Sequence, residues 1–270
     1  MEQPGWATSD IDVTRPNVAR MYDAFLGGSH NFAADREMAA QVTASWPETP
    51  RVARANRAFL RRAVRYLVDV GVRQFIDLGS GIPTVGNVHE IAQACQPDAR
   101  VVYVDTDPVA IAHSRAILAG NPYTAVIHGD LCEPKRILAD QAVERLLDFT
   151  EPVAVLLVSV LHFIPDEREP YAAVRALTGA TPPGSWLAIS HVTVPRADAE
   201  TAAEIAELYR SRTKTPGVLR PPAAILAFFD GYDLVEPGLV DLPEWRPDGP
   251  PDPGESYERA MVLAGLGRRR

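Results

Sequence analysis

Cysteine and lysine are both scarce in this chain of 270 residues. The two cysteines, Cys95 and Cys132, lie far apart, with no CxxC pair and no cysteine–histidine cluster. That spacing speaks against a disulfide framework and against a structural zinc site. A reducing cytoplasm is the compartment expected. Lysine occurs only at Lys135 and Lys214, and the 27 basic residues are outnumbered by 35 acidic ones, for a net charge of −8. A duplex-binding surface has to neutralise phosphates, so this balance points away from a nucleic-acid partner. No apolar run approaches the ~18 residues of a membrane span. The opening MEQPGWATSDIDV has neither the basic start nor the apolar core of a signal peptide. No membrane partner is therefore expected. The abundance of Arg, Ala and Pro fits a GC-rich genome better than it fits a function.

Hydrophobic residues make up 46% of the chain and charged residues 23%, which is ordinary for a globular protein. No internal repeat is visible. Residues 1–16 are polar and lack a hydrophobic period, so a flexible leader is expected there. Residues 17–70 read as an N-terminal helical cap. Ala39, Val42, Ala44 and Trp46 give partial helical spacing, which Pro47 and Pro50 end. A longer helix over 51–70 puts Ala55, Phe59, Ala63, Leu67 and Val70 on one side, and Gly71 closes it.

From residue 71 to the end the rhythm changes. Short apolar runs at Gln74–Leu78, Val101–Val104, Thr124–Ile127, Val153–Val158 and Trp186–Ser190 alternate with helical stretches near 86–95, 108–119, 134–148, 167–178 and 197–210. Continuous apolar strands between helices predict parallel strands covered on both faces, an open α/β sheet with right-handed crossovers. A helix at 222–229, strands at 233–235 and 259–264, and a Pro/Gly-rich loop (PEWRPDGPPDPGES) complete the chain. In such sheets ligands sit beyond the carboxyl ends of the strands.

The first strand ends in Asp77-Leu78-Gly79-Ser80-Gly81. Two glycines allow a tight turn and close approach to a ligand. A dinucleotide site wants a third glycine, and Thr84 stands there instead. Asp77 before the turn would repel a pyrophosphate, so a cationic or zwitterionic ligand suits the loop better than NAD. The second strand ends in Asp105-Thr106-Asp107-Pro108. Asp105 can accept hydrogen bonds from both hydroxyls of a ribose, while Asp107 before Pro108 reads as a helix N-cap. The third strand ends in His128-Gly129-Asp130-Leu131, where a carboxylate can accept from an adenine amino group. Each aspartate alone could be a turn or a cap. Three acidic strand ends in succession weaken that reading.

These three motifs are similar to the ligand motifs of class I S-adenosylmethionine-dependent methyltransferases. RPNVARMYDAFLGGSHNFAADRE (15–37), GIPTVGNVHEIAQ (81–93), VVYVDTDPVAIAHSR (101–115), VLHFIPD (160–166), PPGSWLAISH (182–191), FFDGYDLVEPGLV (228–240) and the closing AGLGRR (264–269) resemble the bacterial S-adenosyl methyltransferase family, formerly described as a domain of unknown function. The resemblance runs from about residue 15 to the end. It implies a Rossmann-like, seven-stranded α/β sheet with a reversed last strand, an N-terminal helical layer, and S-adenosylmethionine as cofactor, leaving S-adenosylhomocysteine. It further implies that Asp77 and Gly79, with Gly81, meet the methionyl part. Asp105 would meet the ribose and Asp130 the adenine, with Thr106, Gly129 and Leu131 also among the cofactor contacts. The Ser159 backbone would accept from the methionyl ammonium.

Methyl transfer from a sulfonium needs alignment and, for some acceptors, a base. His162 follows the fourth strand in a VLHFIPD segment similar to that of small-molecule O-methyltransferases. His191 ends the fifth strand and is the second candidate. A packing role is the plain alternative for both. His30 and Asn31 in the GGSHNF loop are expected to contact cofactor or form a lid, or else to make an ordinary helix–helix turn. Tyr22 and Arg20 could reach the methionyl carboxylate. Asn87 and His89 open the helix after the glycine loop, where a cap is an equally good reading. Arg51, Arg54, Arg57, Arg61, Arg62 and Arg65 crowd one helix and read as a solvated face more readily than as a patch for an acidic substrate. No metal-ligand set or Asn-Pro-Pro-Tyr motif is present.

The leading expectation is a methyltransferase acting on a small-molecule acceptor, oxygen slightly favoured, as a monomer or homodimer. A sensor that binds S-adenosylmethionine, an enzyme that uses the cofactor without methylating, and an NAD-dependent oxidoreductase are the alternatives. Any acceptor pocket would come from residues 1–50, 192–222 and 241–256.

Overall fold

The computed structural model describes residues 12–82, 86–193, 199–213, 215, 217–249 and 261–270. Thr84, residues 1–11 of the expected leader, and residues 250–256 of the Pro/Gly-rich loop lie outside them. Three helices come first: α1 (Val18–Phe25), α2 (Ala33–Ser45) and α3 (Thr49–Asp69). Then β1 (Gln74–Leu78), α4 (Val88–Cys95), β2 (Arg100–Asp105), α5 (Pro108–Ile117), β3 (Thr124–His128), α6 (Pro134–Leu138), α7 (Gln141–Leu146), β4 (Val153–Val158), α8 (Pro170–Gly179) and β5 (Trp186–Val192) alternate. The chain closes with α9 (Ala199–Arg212), α10 (Pro222–Leu226), β6 (Tyr232–Leu234), β7 (Val240–Asp241) and β8 (Val262–Arg269).

The sheet runs β3-β2-β1-β4-β5-β8-β6. The first five strands in that order pair in parallel, and β8 is reversed against both β5 and β6. This is the seven-stranded path the resemblance implies. An eighth strand, the two-residue β7, pairs with β8 outside it. Alternate strand residues face opposite layers. Phe75, Val101, Tyr103, Ala154, Leu156 and Ala188 pack with α3, α4 and Trp245. Ile76, Val102, Val155, Leu157 and Ile189 pack with α6, α7, α8 and Phe228. Phe59 meets Trp245 edge-to-face, with ring centroids 5.3 Å apart.

Several boundaries differ from the expected ones for local reasons. Pro50 opens α3 rather than ending the preceding helix, because its missing N–H costs nothing in a first turn. Val70 is exposed, since α3 turns Leu67 and Val68 inward at its end. The stretch 134–148 is two helices, because Asp140 caps a new start by accepting from the Ala142 N–H at 2.8 Å. The last strand runs over 262–269, past the expected end at 264; residues 259 and 260 of that expectation lie outside the described residues. Its glycines hide the alternation but fit the packing: a Cβ at Gly267 would sit 2.9 Å from the Tyr232 Cβ.

Candidate functional site

The carboxyl ends of β1, β2, β3 and β4 open into one cavity of about 230 Å³, roofed by α1 and α3. Its lining includes Asp77, Gly79, Gly81, Asp105, Thr106, Gly129, Asp130, Leu131, Ser159, Tyr22 and His162. Residues distant in sequence meet here because four parallel strands end at one level.

The glycine turn follows β1. Gly79 has φ +68°, and a Cβ there would lie 2.3 Å from Val160 Cγ2, so no other residue fits. The Gly81 N–H donates to Asp105 Oδ2 at 2.7 Å, and the Asp107 N–H donates to Asp105 Oδ1 at 2.8 Å. Asp105 therefore holds the turn, and with Thr106 as a third backbone donor its carboxylate keeps acceptor capacity for a ligand. Burial pushes its carboxyl up, and the backbone donors partly offset that. Asp107 caps α5, accepting from the Val109 N–H at 2.7 Å. Ser159, at the end of β4, adopts φ +62°, a conformation rare for a side-chain-bearing residue.

Asp77 is buried, and its carboxyl accepts no hydrogen bond among the described residues. Burial pushes it up to about 7; Arg57 lowers it and Asp105 raises it. At Asp130, burial acts upward, but the Arg168 hydrogen bond at 2.8 Å and the Cys132 N–H at 2.9 Å hold the carboxyl below its usual range. Among the described lining residues the charges are three aspartates and one cation, Arg57. Arg57 donates to the Gly86 carbonyl at 2.8 Å through Nη2. Its Nε is buried without a hydrogen-bond partner. The sequence offered Arg57 only as one arginine of a crowded helix. Its neighbours are used otherwise: Arg62 donates to the Trp245 and Leu242 carbonyls, and Arg61 pairs with Asp248 at 2.8 Å.

Tyr22 belongs to a polar chain along the roof. Its hydroxyl donates to the Ala53 carbonyl at 3.0 Å and accepts from Asn56 Nδ2 at 2.9 Å; Asn56 Oδ1 accepts from the Ser190 hydroxyl at 2.6 Å. Neither Asn56 nor Ser190 carries a sequence signal of its own.

Four of the expected site residues lie outside the cavity lining. Arg20 is buried, with Nε 3.4 Å from Asp35 Oδ1 and 3.6 Å from Asp107 Oδ2, and its remaining nitrogens donate to the Asp12 and Arg15 carbonyls. Asn31 donates to Asp23 Oδ2 at 2.8 Å and to the Gly28 carbonyl, closing the loop on itself. His30 stands edge-on to His113, with centroids 4.2 Å apart. His191 contacts the Val192 carbonyl through Nδ1 at 2.6 Å and Arg220 Nη1 through Nε2 at 2.9 Å. Arg220 can only donate, so Nε2 is the acceptor and Nδ1 carries the hydrogen. Burial lowers the His191 pKa to about 4; the Val192 bond opposes this and Arg220 adds to it. Asn87 and His89 serve the start of α4: the Asn87 N–H donates to Glu90 Oε2, and the His89 N–H to the Tyr103 hydroxyl.

His162 lies in the lining with no side-chain hydrogen bond, and its Nδ1 is buried and unpartnered. Burial, His191 and Arg220 push its pKa well below the usual value, so the ring is neutral at physiological pH. Among the described residues no cluster of His, Cys, Asp and Glu could hold a metal ion, and no helix is long and apolar enough to cross a membrane.

Comparison with known proteins bears on this geometry. Residues 4–270 match the S-adenosyl methyltransferase family. A candidate methyltransferase from Thermobifida fusca YX is 40% identical with a TM-score of 0.92, over 99% of this chain and 100% of that one. A duf574 family protein from Streptomyces avermitilis MA-4680 is 38% identical with a TM-score of 0.92, over 96% and 99% respectively. The N-methyltransferase NodS from Bradyrhizobium japonicum WM9, solved in complex with S-adenosylhomocysteine, has 14% identity and a TM-score of 0.50 over 93% of this chain and 98% of that one, a likeness of fold alone. No curated protein matches the chain. With nearly the whole sequence matched, the chain belongs to the S-adenosyl methyltransferase family, whose cofactor is S-adenosylmethionine.

Proposed function

We propose that the chain transfers a methyl group from S-adenosylmethionine to a small-molecule acceptor, with oxygen the favoured acceptor atom. The observation that carries this reading is the charge of the cavity: three strand-end aspartates line it with one arginine, Arg57, while Arg168 pairs with Asp130 from outside the lining. A ligand with cationic groups suits such a site, and a pyrophosphate does not. The orphaned Arg57 Nε and the unpartnered Asp77 carboxyl fit the two ends of an amino-acid moiety. When bound, the cofactor supplies a methyl already activated on a sulfonium.

In this reading Arg57 takes the methionyl carboxylate, while Asp77 and the Ser159 carbonyl take the ammonium. Asp105 accepts from the ribose hydroxyls and Asp130 from the adenine amino group. His162 accepts a hydrogen bond from the acceptor hydroxyl, aligns it, and receives its proton. Its neutrality is what lets it accept. The roof of α1 and α3 limits access of water.

Label transfer tests the reading. The chain is incubated with methyl-labelled S-adenosylmethionine and, separately, with the small-molecule, protein and nucleic-acid fractions of a bacterial extract. Label should enter the small-molecule fraction alone. His162→Gln should lower transfer by about 10²-fold or more and leave S-adenosylhomocysteine affinity within twofold. Label in protein or nucleic acid, or an unchanged rate in His162→Gln, would refute the reading.

A further inference from the structure

A second cavity of about 80 Å³ adjoins the first. The two share Trp46, Thr49, His162, Phe163, Val192 and Tyr209, and the far wall carries Val42, Val218, Leu219 and Met261. Its walls come mainly from 42–49, from Ala206 and Tyr209 of α9, and from 217–219. Among the described residues no acid, lysine or arginine lines it. The charge of the main cavity therefore stops at its boundary.

The polar atoms at that boundary are few and neutral. The Thr49 hydroxyl donates to the Trp46 carbonyl at 2.7 Å and is satisfied. Trp46 Nε1 and His162 Nδ1 are buried without a hydrogen-bond partner among the described residues. Burial pushes the Tyr209 phenol up, so that hydroxyl stays protonated. Aromatic faces crowd the junction: the His162 and Phe163 rings have centroids 4.2 Å apart, and Phe163 and Tyr209 lie 5.6 Å apart. A charged guest would lose its hydration here and find no counter-ion. A flat apolar guest would gain contact on every side.

We propose that this annex holds the methyl acceptor, and that the acceptor is an uncharged aromatic hydroxy compound. Its ring lies among Trp46, Phe163 and Tyr209, and its hydroxyl hydrogen-bonds to the His162 imidazole. The inference rests on the methyl-transfer reading of the main cavity.

The test uses 2-naphthol and 2-naphthoate, which share one ring system and differ in charge. Calorimetry first establishes that the full chain binds S-adenosylhomocysteine. Each probe is then titrated into the saturated complex. The naphthol should bind saturably, and the naphthoate at least about tenfold more weakly. Val218→Asp, which places a charge on the far wall, should abolish naphthol binding while S-adenosylhomocysteine affinity persists. Should that variant fail to fold, the naphthol–naphthoate ratio on the unaltered chain decides alone. Equal affinities, or no naphthol binding to a chain that does bind S-adenosylhomocysteine, would overturn the acceptor class and leave the methyl-transfer reading standing. Failure of S-adenosylhomocysteine to bind would overturn both.

Discussion

Asp77 carries the unusual electrostatics of the cavity. Folding raises its carboxyl from 3.8 to about 7, chiefly by burial. The folded state thus holds this proton more tightly than the unfolded chain does, and stability falls as pH rises from about 4 to about 7. Asp77→Asn should flatten that slope in denaturant melts at a series of pH values. Some slope should remain, because burial also raises Asp35, Asp105 and Asp107. A cationic ligand beside Asp77 would draw it back to the carboxylate. S-adenosylhomocysteine should therefore bind more tightly as pH rises from about 6 to about 8, with proton release seen by calorimetry in buffers of different ionisation enthalpy. A pH-independent affinity in the unaltered chain would speak against Asp77 as the ammonium partner. Arg57 offers a parallel check. Arg57→Leu should weaken S-adenosylhomocysteine by about 10- to 100-fold, the range of a charge-assisted hydrogen bond, but leave adenosine, which has no carboxylate, nearly unchanged. Equal losses for both ligands would contradict the assignment. The strand-end aspartates were legible in the sequence because each lies at or just beyond the end of an apolar run. Arg57 was not, because the docking angle of α3 decides which of its six arginines meets the cavity. Nor was the engagement of His191, whose partner Arg220 arrives on a separate segment.

The α1–α2 segment is tied to the sheet layer at α5 and its cap. Arg20 of α1 stands between Asp35 of α2 and Asp107, the residue capping α5. Its guanidinium also lies 5.2 Å from the Phe32 ring centroid. The His30–His113 contact makes a second attachment to the same helix. Arg20→Met would leave two buried carboxylates without their cation, a loss of about 3 kcal/mol. Urea melts measure it, and a change below about 1 kcal/mol would show that the contact contributes little. Elements with strong local signals were legible: β1 and β4 occupy the apolar runs read from the sequence, and α5 starts at the Asp107-Pro108 cap. The split at Asp140 and the length of β8 were obscured, the first by continuous helical composition and the second by Gly265 and Gly267. Those glycines make sense only once Phe229 and Tyr232 are packed against them.

At the scale of the whole molecule, a net charge of −8 reappears locally as a cavity of three acids and one cation. The sheet order brings four strand ends to one rim, and the first three helices lay an arginine and a tyrosine over them. Ligand binding at that rim should stabilise the entire fold. At ~100 times its dissociation constant a ligand contributes about 2.7 kcal/mol, a rise of roughly 5–10 °C in melting temperature for a chain of this size. The decisive measurement is the melting temperature with S-adenosylmethionine, S-adenosylhomocysteine, NAD or no ligand, for the unaltered chain and for Asp105→Ala. The melting temperature should rise with the two sulfur ligands, not with NAD, and should not rise in the variant. A rise with NAD alone, or an undiminished rise in Asp105→Ala, would contradict S-adenosylmethionine binding at that rim.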